Sequence, residues 1–257
     1  MRHLREDSIV SRSASPENPN FPISRTADMH PKRKYKALQD EWRSIITLGV
    51  VGGCSDIMLA GTNAINATVS VTDPNEIAWA EDDYWADDSD TWINGPINIT
   101  ASVTQRSRSS ALWLQFSEVV NRPCEIEMTT ACQPAETLEI GVIRAGLSET
   151  YGGRNPRFGL PEDGDDKSIF DDNSNGSFYY KKRDILRVFS ASAIMSRQDA
   201  WLMADYFDVH GQEPSAWRIT DKNDSEWVLF ARLLGRPGIQ HSHLSHCDVS
   251  FDLKEVL

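Results

Sequence analysis

The feature that most constrains this chain is a succession of apolar runs too short to be helices, each closed by turn residues. Ser44-Ile45-Ile46-Thr47-Leu48-Gly49 and Asp56-Ile57-Met58-Leu59-Ala60-Gly61 both end on glycine. Ala67-Thr68-Val69-Ser70-Val71-Thr72 sets valine against small or polar residues in strict alternation. A period of two sends successive side chains to opposite faces of a strand, which is the signal of a β-sheet with one covered side. Similar runs follow over Ile97–Val103, Ala111–Phe116, Cys124–Thr130 and Leu138–Arg144. In the third of these, Cys124, Ile126 and Met128 alternate with Glu125 and Glu127, a buried face against a wet one. Six or seven such segments separated by turn signals predict an antiparallel β-sandwich over residues 35–150.

The flanks read differently. Residues 1–34 are polar, broken by Pro16, Pro19, Pro22 and Pro31, and lack an amphipathic period. They are expected to form an extended N-terminal arm, flexible or ordered only by lying on a neighbour. The arm includes a basic patch, Lys32, Arg33, Lys34 and Lys36, suited to an acidic partner or simply to solvent. The Gly-, Asn-, Asp- and Pro-rich stretch from Tyr151 to Gly176 predicts a long irregular connection. Strand character resumes over Ser177–Tyr180 and Asp184–Ser190, and again over Ala216–Ile219, Trp227–Leu233 and Asp248–Leu253. One helix interrupts them, over about 197–209. Ser196-Arg197-Gln198-Asp199 resembles a capping box with Asp in the Glu position, Ala200, Met203, Ala204 and Phe207 form a stripe, and Gly211 is a natural terminator. Residues 151–257 are therefore expected to be a β-rich part carrying a single helix.

Charge narrows the function classes. A net charge of −12 argues against a general nucleic-acid binder, which must gather Lys and Arg to neutralise phosphates. Acid is concentrated over Glu81–Asp90 and again over Glu162–Asp172. Neither run has EF-hand order, so both are expected to be solvated loops, with an irregular calcium site as the sharper alternative. No apolar stretch approaches the roughly 18 residues of a membrane span, so insertion into a bilayer is not expected. The start of the chain, with Arg2, Arg5, Glu6 and Asp7, has no apolar signal-peptide core. Cys54, Cys124, Cys132 and Cys247 lie far apart without a C-x-x-C pair and are expected to be small buried residues.

No nucleophile elbow, P-loop, zinc-protease or dinucleotide fingerprint is present, so no catalytic residue and no cofactor are expected. Two constellations stand out instead. His241, His243, His246 and Cys247 cluster near the C-terminus. A polar loop between strands, preceded by Gly235, Pro237 and Gly238, is the expected setting; the sharper alternative is a strand on which His241 and His243 share a face and His246 or Cys247 completes a structural metal site. Tyr84, Trp85 and Trp92 sit among carboxylates, a composition suited to stacking a sugar ring, to anchoring a protein contact, or to packing on the sandwich.

The order of motifs carries a resemblance. Asp28-x-x-Pro31 to Tyr35-Lys36-Ala37, Trp42 to Leu48-Gly49, and Ile57-Met58-Leu59-Ala60-Gly61-Thr62-Asn63 resemble the opening of discoidin-like (galactose-binding-like) domains of phage tail proteins. Ala111-Leu112-Trp113-Leu114 and Leu138 to Gly146 are similar to later strands of that domain, although Val142 stands where an Arg is usual. Gly176-Ser177-Phe178-Tyr179, Arg183 to Phe189, the capped helix and Val249 to Val256 resemble the C-terminal layout of tail-tip and distal-tail-type proteins. The resemblance implies a structural component of a bacteriophage tail, in the tail tip or baseplate, whose partners are other tail proteins in multiple copies around a symmetric tube. The alternative it implies is a carbohydrate-binding module recognising a host-surface glycan.

Overall fold

The computed structural model describes residues 1–4, 7–72, 99–102, 111–120, 123–151, 162–166, 168–172, 178–182, 185–219 and 228–256. Among these the chain is mainly β with one α-helix, and its strand pairs are antiparallel. An outer sheet runs in the order β2 (Ile9–Ser15), β4 (Arg43–Val50), β9 (Cys124–Ala131), β6 (Asn66–Thr72) and β7 (Ile99–Ser102). Its alternation is the one read from sequence. Ile46, Leu48, Ala67, Val69, Ile126 and Met128 are buried, while Glu125 and Glu127 face outward.

Facing it is a sheet of three strands, β11 (Val142–Gly146), β5 (Cys54–Ala60) and β8 (Ala111–Val120). Ile57, Leu59, Leu112, Leu114, Ile143 and Ala145 join the outer sheet in one core, which makes the sandwich. The other face of the same strands, with Met58, Ala60, Ala111, Trp113 and Val142, packs on a second sheet. β5 is consequently buried at all seven of its residues.

That second sheet has eight strands in the order β12 (Ser148–Thr150), β1 (Arg2–Leu4), β17 (Ser215–Arg218), β18 (Val228–Leu233), β20 (His246–Glu255), β16 (Ile185–Ser196) and β13 (Glu162–Asp166), with β19 (Gly238–Gln240) pairing β20 off this path. Leu4, Ala216, Val228 and Phe230 meet the middle sheet. Trp217, Leu229, Ala231, Val249, Phe251 and Phe189 point the other way, onto α1 (Arg197–His210). The layers thus run outer sheet, middle sheet, large sheet, helix. Two short ribbons complete the described elements, β3 (Tyr35–Lys36) with β10 (Glu139–Ile140) and β14 (Ile169–Asp172) with β15 (Phe178–Lys181).

The helix forms as its sequence requires. The Ser196 hydroxyl accepts from the Asp199 amide at 3.0 Å, and Gly211, at φ 61°, donates its amide to Phe207 O at 2.7 Å. Ala200, Met203, Ala204 and Tyr206 are buried, so Tyr206 is the fully inward aromatic while Phe207 packs partly buried against the same cluster.

Three expectations are corrected. Residues 1–34 are not an arm: β1 is an internal strand of the large sheet, β2 pairs β4, and Ile23 of a 3-10 turn (Ile23–Ala27) enters the sandwich core. The prolines lie between these elements, beyond β2, and so never interrupt a ladder. The division at residue 150 is also replaced, because β1 and β12 belong to the large sheet with the C-terminal strands. The stretch after Tyr151 is not wholly irregular, since Glu162–Asp166 pairs with β16 as a terminal strand and Ile169–Asp172 pairs with β15. Charge suits a strand with one solvated edge.

Close backbone approach marks the link between β10 and β11. A Cβ on Gly141 would fall on the carbonyl of Pro31, so only glycine fits there. A middle sheet covered on both faces makes a specific demand: Leu59→Ala, which opens the sandwich core, and Met58→Ala, which opens the core on the other side, should each cost about 2–5 kcal/mol in urea unfolding. A sheet covered on one side only would be nearly indifferent to the second substitution.

Candidate functional site

The polar groups that the sequence leaves unassigned converge on the seam between the middle and large sheets. Asp56 of β5 is fully buried there. Its Oδ1 accepts from Trp113 Nε1 at 2.8 Å, and its Oδ2 accepts from the hydroxyls of Ser55 at 2.6 Å and Ser148 at 2.5 Å. Arg2 Nη1 lies 3.5 Å from the same oxygen. Nearby, Asp7 Oδ2 accepts from Arg12 Nη2 at 2.6 Å and Arg144 Nη1 at 2.8 Å, and its Oδ1 accepts from the Ala145 amide at 3.3 Å. Arg218 donates from Nη1 to Gln115 Oε1 at 3.0 Å, tying β17 to β8. These groups join strands of different layers, and their hydrogen bonds offset the cost of burying charge.

Above the seam, His3 is buried in an aromatic nest. Its ring stacks on Trp217 at 4.0 Å, meets Tyr206 edge-on at 4.4 Å, and shares a 2.9 Å hydrogen bond between Nε2 and the Ser215 hydroxyl. A pocket of about 330 Å³ opens beside it, lined by Asp7, Arg144, Tyr206, His210 and Glu213 among others. His210 Nδ1 lies 3.5 Å from Glu213 Oε2. Nothing in the sequence pattern predicts this grouping, because its members come from the two ends of the chain and from β11.

The C-terminal His/Cys cluster is only partly assembled. His241 Nδ1 lies 3.1 Å from Cys247 Sγ, but His246 Nδ1 turns to the Ser245 hydroxyl at 2.8 Å, and His243 is exposed on the loop. Cys247 is a fully buried residue of β20, paired across the ladder with Met195. Among the described residues no group of three or more His, Cys, Asp or Glu side chains is placed to hold a metal ion. Of the two readings of His241, His243, His246 and Cys247, a polar loop or a metal site, the described geometry is that of a polar loop leading into β20 with one His–Cys contact. The reason is local: β20 begins at His246, so the strand geometry that would align the imidazoles starts after His241 and His243. Tyr84, Trp85 and Trp92, with the first acidic run, lie outside the described residues.

Large apolar side chains stand exposed on α1 and at the loop. Trp201, Leu202 and Val209 of α1 are 49, 36 and 71% exposed, and Leu244 at the loop is 96% exposed. The Trp201 and His241 rings are 6.5 Å apart. Carboxylates border this face, and Asp208 is held by Arg236 through contacts of 2.9 to 3.2 Å that raise the guanidinium's already high pKa. The basic patch read from sequence is in place on the other part of the chain. Lys34 and Lys36 reach Glu139 at 3.0 and 2.6 Å, and Arg33 reaches Asp28 at 3.0 Å. Among the described residues no helix is long and apolar enough to cross a membrane.

No protein-family model and no curated protein matches the chain. Among solved structures, similarity is found to a chain of a virion of a native gene transfer agent particle, with TM-score 0.30, 12% identity, and coverage of 42% of this chain and 99% of that one. It is also found to a pectin binding carbohydrate binding module, with TM-score 0.34, 15% identity, and coverage of 55% of this chain and 93% of that one. At these scores both likenesses are weak.

Two measurements follow from the side-chain environments. All four cysteines are buried. Burial first, and then the neighbouring Cys124, pushes the Cys54 thiol up to about 12, and burial raises Cys132 as well. The thiolate is the reactive form, so iodoacetamide at neutral pH should leave the native protein's mass unchanged while four adducts form in denaturant. Burial raises Glu139, but the hydrogen bonds from Lys36 and Lys34 and their charges outweigh it, leaving the carboxyl below its ordinary 4.5. A depressed folded-state value means that this stabilisation is present above about pH 4.5 and is lost as pH falls through the folded value. Glu139→Gln should therefore flatten the acid limb of the urea midpoint against pH and leave its slope near neutrality unchanged.

Proposed function

We propose that this chain is a non-catalytic structural component of a bacteriophage tail, in the tail-tip or baseplate region, where it docks on other virion proteins in several copies. The observation that supports the reading is the apolar outer face of α1. Trp201 and Val209 stand about half and more than two-thirds exposed on a body whose buried ionic groups, Asp7 with Arg144 and Asp56 with Arg2, join one layer to another. Large exposed apolar residues grouped on one element are the mark of a protein contact surface. The layered order suits a docking body, because each sheet supports the next. Its place is the particle, after synthesis in the host cytoplasm.

Mass spectrometry of purified, tailed particles should detect this chain at the abundance of a structural subunit. Particles that retain their other tail proteins and lack this one would reject the assignment. A second reading is favoured by one feature of the sequence, the grouping of Tyr84, Trp85 and Trp92 among carboxylates: recognition of a host-surface glycan by stacking. The full chain should then bind on a glycan array, and Trp85→Ala or Trp92→Ala should abolish the signal. A fragment over residues 35–150 is unsuitable for that test, because Ile9 and Ile23 belong to the same core.

A further inference from the structure

We infer that the pocket beside His3, between β1, β11 and the C-terminal end of α1, binds a small organic acid through its carboxylate, with Arg144 as the receiving cation. The inference stands apart from the tail reading, which neither requires it nor follows from it.

The Asp7 side of this pocket holds more positive than negative charge. Arg12 Nη2 and Arg144 Nη1 both donate to the same oxygen of Asp7, Oδ2, at 2.6 and 2.8 Å. The other oxygen, Oδ1, accepts from the Ala145 and Ile9 amides at 3.3 and 3.4 Å. A carboxylate has about four lone-pair sites, and here all are taken, so Asp7 has nothing left to offer a ligand. Two guanidinium groups thus share one carboxylate, with side chains 10 and 13% exposed. Each also keeps one buried nitrogen without a hydrogen-bond partner among the described residues, Nε of Arg12 and Nη2 of Arg144. An unmet donor on a buried cation is costly. An anion removes that cost, and the planar fork of a guanidinium matches a carboxylate.

The remaining lining sets the body of the ligand. Leu4, Met29, Pro214 and Ala216 supply apolar wall, and a cavity of about 330 Å³ suits a small molecule. The opposing charge in the lining is Glu213. It is exposed and lies 3.5 Å from His210, so solvent screens it, whereas Arg12 and Arg144 are largely shielded from water. His210 is held in place by stacking on Tyr206 at 4.7 Å.

The test is fluorine NMR of 4-fluorobenzoate titrated with the full chain, beside 4-fluorobenzyl alcohol, which has the same ring and no charge. The expected result is saturable broadening of the acid alone, with a Kd of about 1 mM or tighter for a ligand of so few atoms. Acetate should reverse it, and sulfate at equal ionic strength should not. Arg144→Lys keeps a positive charge beside Asp7 but removes the unmet nitrogen, and should weaken binding about tenfold or more. Met29→Trp fills the apolar side of the pocket without touching the Arg–Asp group, and should do the same. Circular dichroism establishes that the fold is kept, and Met29→Trp carries the test if Arg144→Lys does not fold. Absence of binding, equal broadening of the alcohol, reversal by sulfate as readily as by acetate, or binding undiminished in either folded variant overturns the inference.

Discussion

A strand buried at every residue, β5 at the centre of the middle sheet, is the constraint on which the rest of this structure depends. Strands covered on both faces must be apolar, or fully hydrogen-bonded, at every position. β5 meets that demand with Ile57 and Leu59 toward one sheet and Met58 and Ala60 toward the other. Each cover must then be supplied by distant parts of the chain. The outer sheet comes from residues 9–131, and the second cover is assembled by bringing residues 2–4 between 148–150 and 215–218. Closure of the middle layer therefore requires both ends of the described chain at once, and the two halves expected from sequence become one interlocked stack.

Buried polar groups give this stack its register. Apolar layers can slide, because dispersion and the hydrophobic effect are non-directional. Asp56 accepts from Trp113 within its own sheet and from Ser148 beside the large one, so displacement of the layers would strand a buried carboxylate. Within the large sheet, Arg187 and Glu255 fix the register of neighbouring strands β16 and β20 instead, with two hydrogen bonds of 2.8 Å in a nearly solvent-free setting. Such pairs add less to net stability than their geometry suggests, since desolvation opposes them. Their effect here is to select one alignment.

Much of the fold was legible wherever one face is wet. The alternation of Cys124, Ile126 and Met128 with two glutamates identified β9, and Ser196 with Gly211 bounded the helix closely. What escaped notice has physical reasons. β1 has only three residues, too few to show a period, and β2 buries Ile9 while exposing Val10, so neither gives the hydrophobic alternation of a covered strand. The two-sided burial of β5 was hidden because a continuous apolar run looks the same whether one neighbour or two cover it. At the candidate site, His3 looked like part of a tail and is in fact packed against Trp217. The His241–Cys247 cluster was visible as composition, but the position at which β20 begins, which decides whether imidazoles align, is set by pairing with β16.

The acidic terminal strand β13 limits how copies of such a protein can come together. An open sheet margin is a template that any extended peptide can lengthen, and uncontrolled lengthening gives fibres. Asp163, Asp165 and Asp166 place three carboxylates in four residues of that strand, Asp165 held by Lys254, so among the described residues an identical margin approaching from another molecule meets like charge. Polymerisation by sheet extension is thereby discouraged at this end. What remains is assembly of finite size, in which finished bodies touch through their side chains.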